Sequence, residues 1–393
     1  MNWIIAFIWG ILRLFMNPLL YLYILIVLMH GFFRIKRERR SFHTRVQDLY
    51  DELKFTFSRG LLTGLVLSAA AIVLGIALPY GSIVLLTIVM AIIGLTFQLR
   101  FMSAAYTIGL TFIVAVLLNH FGGTLVQNAF QGLQSTNLSL LAILLGLTLA
   151  AEGYLIFKSG YLQTSPNVIS SSRGLPIGNH IANRTWMLPL FLLLPGGPLQ
   201  AVVPWWPVFD FGGQSFTLIM IPFFTGFHQR VQGSLPKESI QITAKRITWL
   251  GTFIFAMALI SIWWEPLSYF AVIAAMVCRE LLSIRQRMND DSASFYFSKI
   301  DHGLMILGVL PGSPADKIGL EVGEIIMKTN GSSVKTVDEF YRALQKNRVF
   351  CKLELVSLNG EIRFAQRALY EGEHHELGIL FVEDAKKGKH KAV

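Results

Sequence analysis

The chain has 393 residues, of which 53% are hydrophobic and only 15% charged, against roughly a quarter charged in a soluble protein. With a mean hydropathy of +0.53, these figures exclude a wholly soluble enzyme, a disordered chain and a coiled coil. The net charge of +10 gathers in short segments beside apolar runs, a pattern of membrane topology and lipid contact rather than nucleic-acid binding.

The first apolar stretch, 3–33, is too long for one straight span and is interrupted by Arg13 and by Asn17-Pro18. Proline inside a helix removes a hydrogen bond and clashes with the preceding turn. The expectation is a short interfacial or re-entrant helix, then a span near 18–33. Residues 34–59 form a basic juxtamembrane segment in which Arg34, Lys36, Arg37, Arg39 and Arg40 are candidate contacts for anionic lipid or a partner.

Further runs long enough to cross a hydrocarbon core about 30 Å thick lie near 60–78, 82–99, 102–119, 138–157, 186–203, 215–230, 247–264 and 267–282. The predicted membrane part is therefore an all-α polytopic bundle of about eight or nine spans, with 60–288 as its main body. Lysine and arginine are retained inside. The basic 34–59 segment, Arg100, the 158–185 and 230–246 loops and Arg279, Arg285 and Arg287 all fall on that side, and the intervening turns carry no Lys or Arg. This alternation predicts a cytoplasmic C-terminus.

The outer loop 195–213 (PGGPLQAVVPWWPVFDFGG) reads as an aromatic segment hugging the head groups, or alternatively as a gate. Glu152 is the most telling intramembrane charge. No basic partner at its depth is evident in the sequence, so a functional acid and a neutral or interhelically hydrogen-bonded one stay open.

After the polar break Asn289-Asp290-Asp291 the chain changes character. Strand-like stretches occur at 294–299, 303–310 and 324–329. Ser313 is placed to N-cap a short helix with Pro314 at its first position and Gly319 as its left-handed stop. Thr336 with Glu339 forms a capping box for an amphipathic helix over 336–346, which puts Val337, Phe340, Tyr341 and Leu344 on one side. Strands 351–358 and 361–368 are joined by Asn359-Gly360, a strong hairpin signal. Cys351 lies in the first of these and Cys278 in an apolar run, so no disulfide framework is expected.

The run Val309-Leu310-Pro311-Gly312-Ser313-Pro314-Ala315, followed by Gly319-Leu320, Gly323-Glu324 and Asn330-Gly331, resembles the PDZ domain of bacterial proteins. Most members have Asp where this chain has Glu324. The resemblance covers 289–383 and implies a small α+β, PDZ-like β-sandwich that adds a partner's extended segment to a sheet edge and captures its carboxylate in a backbone nest. The glycine turn of that nest matches Leu377-Gly378-Ile379, which makes the domain circularly permuted with its groove strand last; alternatively 294–299 is that strand and the glycine turn is missing. The groove candidates are Leu377, Gly378, Ile379, Val337, Tyr341 and Leu344, and filling the domain core is the other role open to them. Residues 384–393, with Lys386, Lys387, Lys389 and Lys391, read as a basic disordered tail.

Catalysis finds little support. His374-His375-Glu376 lacks the second ligand spacing of a zinc peptidase, Gly213-Gln214-Ser215 lacks the glycine of a nucleophile turn, and no phosphate-binding glycine loop occurs. His30, His120 and His228 are spaced for no metal site. No cofactor or metal is implied.

In architecture and length the whole chain resembles the MinJ family of membrane adaptors in division-site selection of Gram-positive rods. That resemblance implies a non-enzymatic bridge at the cell membrane, located at the septum and poles. Its implied partners are a DivIVA-like polar scaffold, the ATPase MinD with its inhibitor MinC, other division proteins and membrane lipids, with no nucleic acid. The alternatives are a PDZ-regulated intramembrane peptidase and a transporter or lipid-handling protein centred on Glu152.

Overall fold

A computed structural model describes residues 3–123, 129–171, 173–200, 206, 215–347, 349–369 and 377–382. Helix α1 (Trp3–Met16) stops where expected. Asn17 caps α2 (Pro18–Phe42), its side chain accepting from the Leu19 N–H at 3.0 Å, with Pro18 at the first helical position. The basic segment is not a separate element. Helix α2 runs on through Phe42, His43 takes the left-handed conformation at φ 57°, and α3 (Leu49–Leu74) begins behind an Asp48/Asp51 capping box.

Next come α4 (Tyr80–Leu95), α5 (Ala104–Phe121), α6 (Leu138–Leu155) with a π-helical extension to Gly160, α7 (Pro236–Ile260) and α8 (Pro266–Ser292). Among the described residues six helices are long and apolar enough to cross a membrane: α2, α3, α5, α6 with its extension, α7 and α8. Helices α1 and α4 are shorter apolar elements.

Two of the predicted spans are not helices. Residues 186–203 and 215–230 fall instead on a long antiparallel hairpin, β2 (Pro176–Gln200) and β3 (Ser215–Val231), with β1 (Ser165–Ser170) added at its base to give the order β1-β2-β3. Their register runs from His180 opposite Val231 to Pro195 opposite Phe216. Each strand carries a mid-run proline, and Pro189 and Pro222 face one another. The hairpin goes out and returns as two helices would, so the alternation of chain direction survives the correction.

An apolar hairpin inside a bundle needs its edges satisfied, because unpaired backbone groups away from water are costly. Helix α3 does this for β2. Gly60 and Gly64 let the helix approach so closely that a Cβ at either would overlap the backbone of Met187 or the ring of Pro189. Between them and the chain reversal, the Ser68 hydroxyl donates to the Pro189 carbonyl at 2.8 Å and accepts from the Phe191 N–H at 2.9 Å. Farther along, Leu78 N–H donates to the Leu193 carbonyl at 2.8 Å.

Glu152 is fully buried in α6 and has a basic partner after all. Its carboxylate accepts from Ser103 Oγ and the Ala104 N–H at 2.8 Å and from Thr225 Oγ1 at 3.0 Å, and Arg279 of α8 lies at 3.5 Å. Four elements are tied to one carboxylate, which makes it a structural anchor. Sequence reading missed the pair because 127 residues separate the two.

The C-terminal unit is a separate sheet. Its strands β4 (Leu304–Val309), β5 (Ile325–Thr329), β6 (Ser332–Ser333), β7 (Phe350–Val356), β8 (Ile362–Ala368) and β9 (Ile379–Phe381) take the order β8-β7-β5-β4-β9, with β6 beside β5. Helices α9 (Pro314–Ile318) and α10 (Val337–Gln345) pack with it. The local signals act as read: Ser313 accepts from Asp316 N–H, Gly319 ends α9 at φ 77°, and Thr336 accepts from Glu339 N–H. The Glu339 carboxylate reaches back one residue farther than expected, to the Lys335 N–H at 2.8 Å.

Candidate functional site

Strand β9 is the edge of the C-terminal sheet. It pairs antiparallel with β4, Val309 opposite Ile379 and Gly308 opposite Leu380, and no other described strand covers its outer side. An uncovered edge offers backbone donors and acceptors to an added strand. The predicted strand 294–299 does not join this sheet; Phe297 bridges Gly178 of β2 instead.

The glycine turn before β9 is built by the loop of the PGSPA run. Leu310 N–H donates to the Gly378 carbonyl at 2.8 Å and Ala315 N–H to the Leu377 carbonyl at 2.9 Å. Gly378 sits at φ +81°, and a Cβ there would run into Ser313. Only glycine satisfies both demands. The two parts of the sequence that carried the resemblance, 65 positions apart at Ser313 and Gly378, thus meet in space.

Leu377, Ile379 and Leu344 are buried members of one apolar cluster, with Val337 and Tyr341 partly buried against it. Phe340 and Phe381 join β9 to α10 by an edge-to-face contact at 5.4 Å. The six candidates therefore come together between β9 and α10, where Leu344, Leu377, Gly378 and Ile379 are buried with Phe340 and Phe381, and Val337 and Tyr341 are the partly exposed ones. Phe381 was missed because only the pairing of β9 with β4 reveals which side of HHELGILFV faces the helix. Glu324 is 2% exposed and holds Arg363 at 2.6 Å and the Glu321 N–H at 2.9 Å, so a glutamate at this position closes the turn by salt bridge. In β7, burial pushes the Cys351 thiol up to about 12.

The other face of the β4–β9 edge is seated on the hairpin base. Gly178 N–H donates to the Phe297 carbonyl at 2.8 Å, and Gly178 lies under Leu307, Phe297 and Val382 with no room for a Cβ. His180, 2% exposed, places Nε2 at 2.9 Å from the Leu307 carbonyl and Nδ1 at 3.0 Å from the Thr164 hydroxyl. A carbonyl only accepts, so Nε2 carries the proton and Nδ1 receives the Thr164 hydroxyl. Burial holds this ring neutral, taking it down to about 4, while the bond to Leu307 pulls weakly the other way. Beside this seam a cavity of about 530 Å³ opens between Tyr161, Pro166 and Lys237 on one side and Pro311, Val322 and Leu358 on the other.

Of the basic candidates, Arg34 turns inward. It is 4% exposed and binds Glu52, the Gln47 side chain at 3.0 Å and the Asp48 carbonyl at 2.9 Å; Arg184 of β2 shares Glu52 at 3.0 Å. Lys36, Arg39 and Arg40 are exposed, and Arg37 is half-buried. His374-His375-Glu376, the tail lysines and most of the 195–213 loop lie outside the described residues. Within that loop Trp206 is described, and its Nε1–H donates to the Ile72 carbonyl at 2.6 Å. Among the described residues no group of three or more His, Cys, Asp or Glu side chains is arranged to hold a metal ion.

Residues 305–353 match the family model of the PDZ domain. Over 385 residues the chain is 48% identical to the cell division topological determinant MinJ of Bacillus subtilis (strain 168), covering 96% of this chain and 97% of that protein. The chain belongs to the MinJ family. A more distant member, the probable cell division topological determinant MinJ of Lacticaseibacillus paracasei, is 26% identical over 360 residues, 89% of this chain and 92% of that one. The PDZ match takes in α9, β5, β6 and α10, with β9 beyond its end, and six described helices before it are long and apolar enough to cross a membrane.

Proposed function

We propose that this chain is a non-enzymatic membrane adaptor in division-site selection, positioned at the septum and poles, that couples a DivIVA-like polar scaffold to MinD and its inhibitor MinC. The similarity along nearly the whole chain to a protein named as a cell division topological determinant carries this reading. The geometry supports it: a multispan anchor confines the chain to two dimensions, and the PDZ domain offers a sheet edge and an apolar helix face to a partner. Basic connections at the end bearing the PDZ domain support a cytoplasmic orientation. The groove formed by Leu377, Gly378, Ile379, Val337, Tyr341 and Leu344 is the proposed docking site for an extended partner segment.

The test is replacement of the resident chain in a rod-shaped cell by Tyr341→Ala, with fluorescent MinD and the polar scaffold imaged together. The expected result is a membrane-bound adaptor that no longer gathers one of the two at septa, with misplaced divisions. Normal recruitment of both would overturn the groove assignment, and loss of membrane retention would show that the substitution acts on folding.

A further inference from the structure

A second polar site lies where β3, α7 and α8 meet the short 3-10 turn Leu99–Met102, at the end of the bundle that carries the PDZ domain. The cavity there measures about 230 Å³ and is lined by Arg100, His228, Arg230, Arg279, Arg287 and Asp290 among others. Its charge is one-sided, with four guanidinium groups against one carboxylate. That carboxylate is already occupied, since Asp290 accepts from the Gln232 and Gly233 N–H groups at 3.1 Å.

Three of the arginines have acidic partners outside the cavity: Arg100 binds Glu280, Arg230 binds Asp291 at 2.6 Å and Arg279 approaches Glu152 at 3.5 Å. They are not exhausted by them. The Nε atoms of Arg100 and Arg279 are buried without a hydrogen-bond partner. Arg287 is exposed and makes no ion pair or hydrogen bond among the described residues. Arg37, Arg100 and Arg287 all lie close enough to act electrostatically on the His228 ring. Buried donors left unpaired are costly, and several guanidinium groups with spare N–H groups around one volume fit an oxyanion.

Size and depth narrow the ligand. The volume is several times the roughly 30 Å³ share of a water molecule, enough for a phosphate with a short polyol. The cavity sits at the boundary where the apolar bodies of α5 and α8 give way to polar side chains, and Phe97, Leu281 and Ile284 nearby are 40%, 56% and 45% exposed. We propose that this cavity binds the phosphate head group of an anionic phospholipid from the leaflet facing the PDZ domain, with the acyl chains lying along the apolar helix surfaces. The inference rests on the membrane placement proposed above. It also gives the lipid a place in the architecture: Asp290, in the cavity wall, holds the 232–233 turn, and Gln232 accepts the Tyr296 N–H at the start of the PDZ connection.

The test uses the purified full chain in detergent, with lipid retention read by native mass spectrometry while phosphatidylglycerol, phosphatidylcholine or inorganic phosphate is added. The wild type is expected to retain one phosphatidylglycerol about tenfold more tightly than phosphatidylcholine, as expected for charge-assisted contacts. Arg287→Gln changes an exposed, unpaired side chain, leaves the fold intact and is expected to weaken retention several-fold; adding Arg230→Gln, in the same cavity wall, removes the preference. The control Lys317→Gln with Lys335→Gln removes the same charge from exposed positions of the C-terminal domain and is expected to leave retention unchanged. Equal retention of phosphatidylcholine, an equal loss in the control, or full displacement by inorganic phosphate would each overturn the proposal. Flotation with membrane vesicles reads the bilayer placement separately: a chain that floats but shows no lipid preference refutes this site alone.

Discussion

His180 at the seam gives a pH dependence whose sign and size follow from its surroundings. Docked against the PDZ domain, the imidazole is buried, donates to Leu307 and accepts from Thr164, and burial takes it down to about 4. Released from the seam it regains an ordinary value near 6.5. Between those two values the undocked state binds a proton that the docked state refuses, so docking weakens as pH falls. It is at full strength above about 6.5, loses about 1.4 kcal/mol per pH unit below that, and is weaker by about 3 kcal/mol at pH 4. Phe297 is the aromatic neighbour, its ring 5.0 Å from that of His180.

The assay is pulsed dipolar spectroscopy between spin labels at Lys158 and Gln345, both exposed, in the full chain from pH 7.5 down to 4.5. The wild type is expected to show a narrow distance distribution at neutral pH that broadens reversibly below 6. His180→Phe keeps the ring but strands the Leu307 carbonyl, which costs about 1–3 kcal/mol at every pH and flattens the pH response. A wild-type distribution that stays narrow to pH 4.5, or an identical acid transition in the Phe variant, would refute the reasoning.

Three further outcomes follow from the packing. Gly64→Leu drives a side chain into Pro189 and should lower the melting temperature of the detergent-solubilised chain by an amount matching at least the 1–3 kcal/mol of ordinary overpacking. Arg279→Gln leaves the buried Glu152 carboxylate without its counter-ion and should cost about 3–5 kcal/mol, and Glu152→Gln, which strands the buried Arg279, should cost a comparable amount; the unfolding midpoints of the two check this. Cys351, raised to about 12 by burial, should resist alkylation at pH 8 in the folded chain and react at once in denaturant, with mass spectrometry following the adduct.

The C-terminal domain was legible because its signals are local. Ser313, Gly319 and Thr336 each decide the backbone within four residues and act as their chemistry predicts, and Gly360 turns the β7–β8 hairpin at φ 80°. The membrane part was legible in where its apolar runs lie but not in how many are helical spans: six described helices are long and apolar enough to cross, and two of the predicted runs are strands. Residues 186–203 and 215–230 have the length and hydropathy of helical spans, and hydropathy does not distinguish a helix from a strand once both faces are buried. The discriminating signs were present: Pro189 and Pro222 at mid-run, and the Pro- and Gly-rich stretch that joins the runs. Glu152 and Arg279, or Gly64 and Pro189, are pairings between distant segments, and no local rule places them together. Arg34 illustrates the same limit, since Lys36, Arg39 and Arg40 of the same basic run are solvent-facing and the partners that hold Arg34 inward include Gln47, Asp48 and Glu52, beyond the end of α2.

The hairpin also constrains how the molecule is made. A helix can enter the bilayer alone because its backbone is self-satisfied, but the β2 edge depends on α3, Ser68 and the 76–78 segment, all of which precede it in the chain. The strands therefore enter lipid in company, after α3 is in place and sheltered by protein until the chain has closed around them.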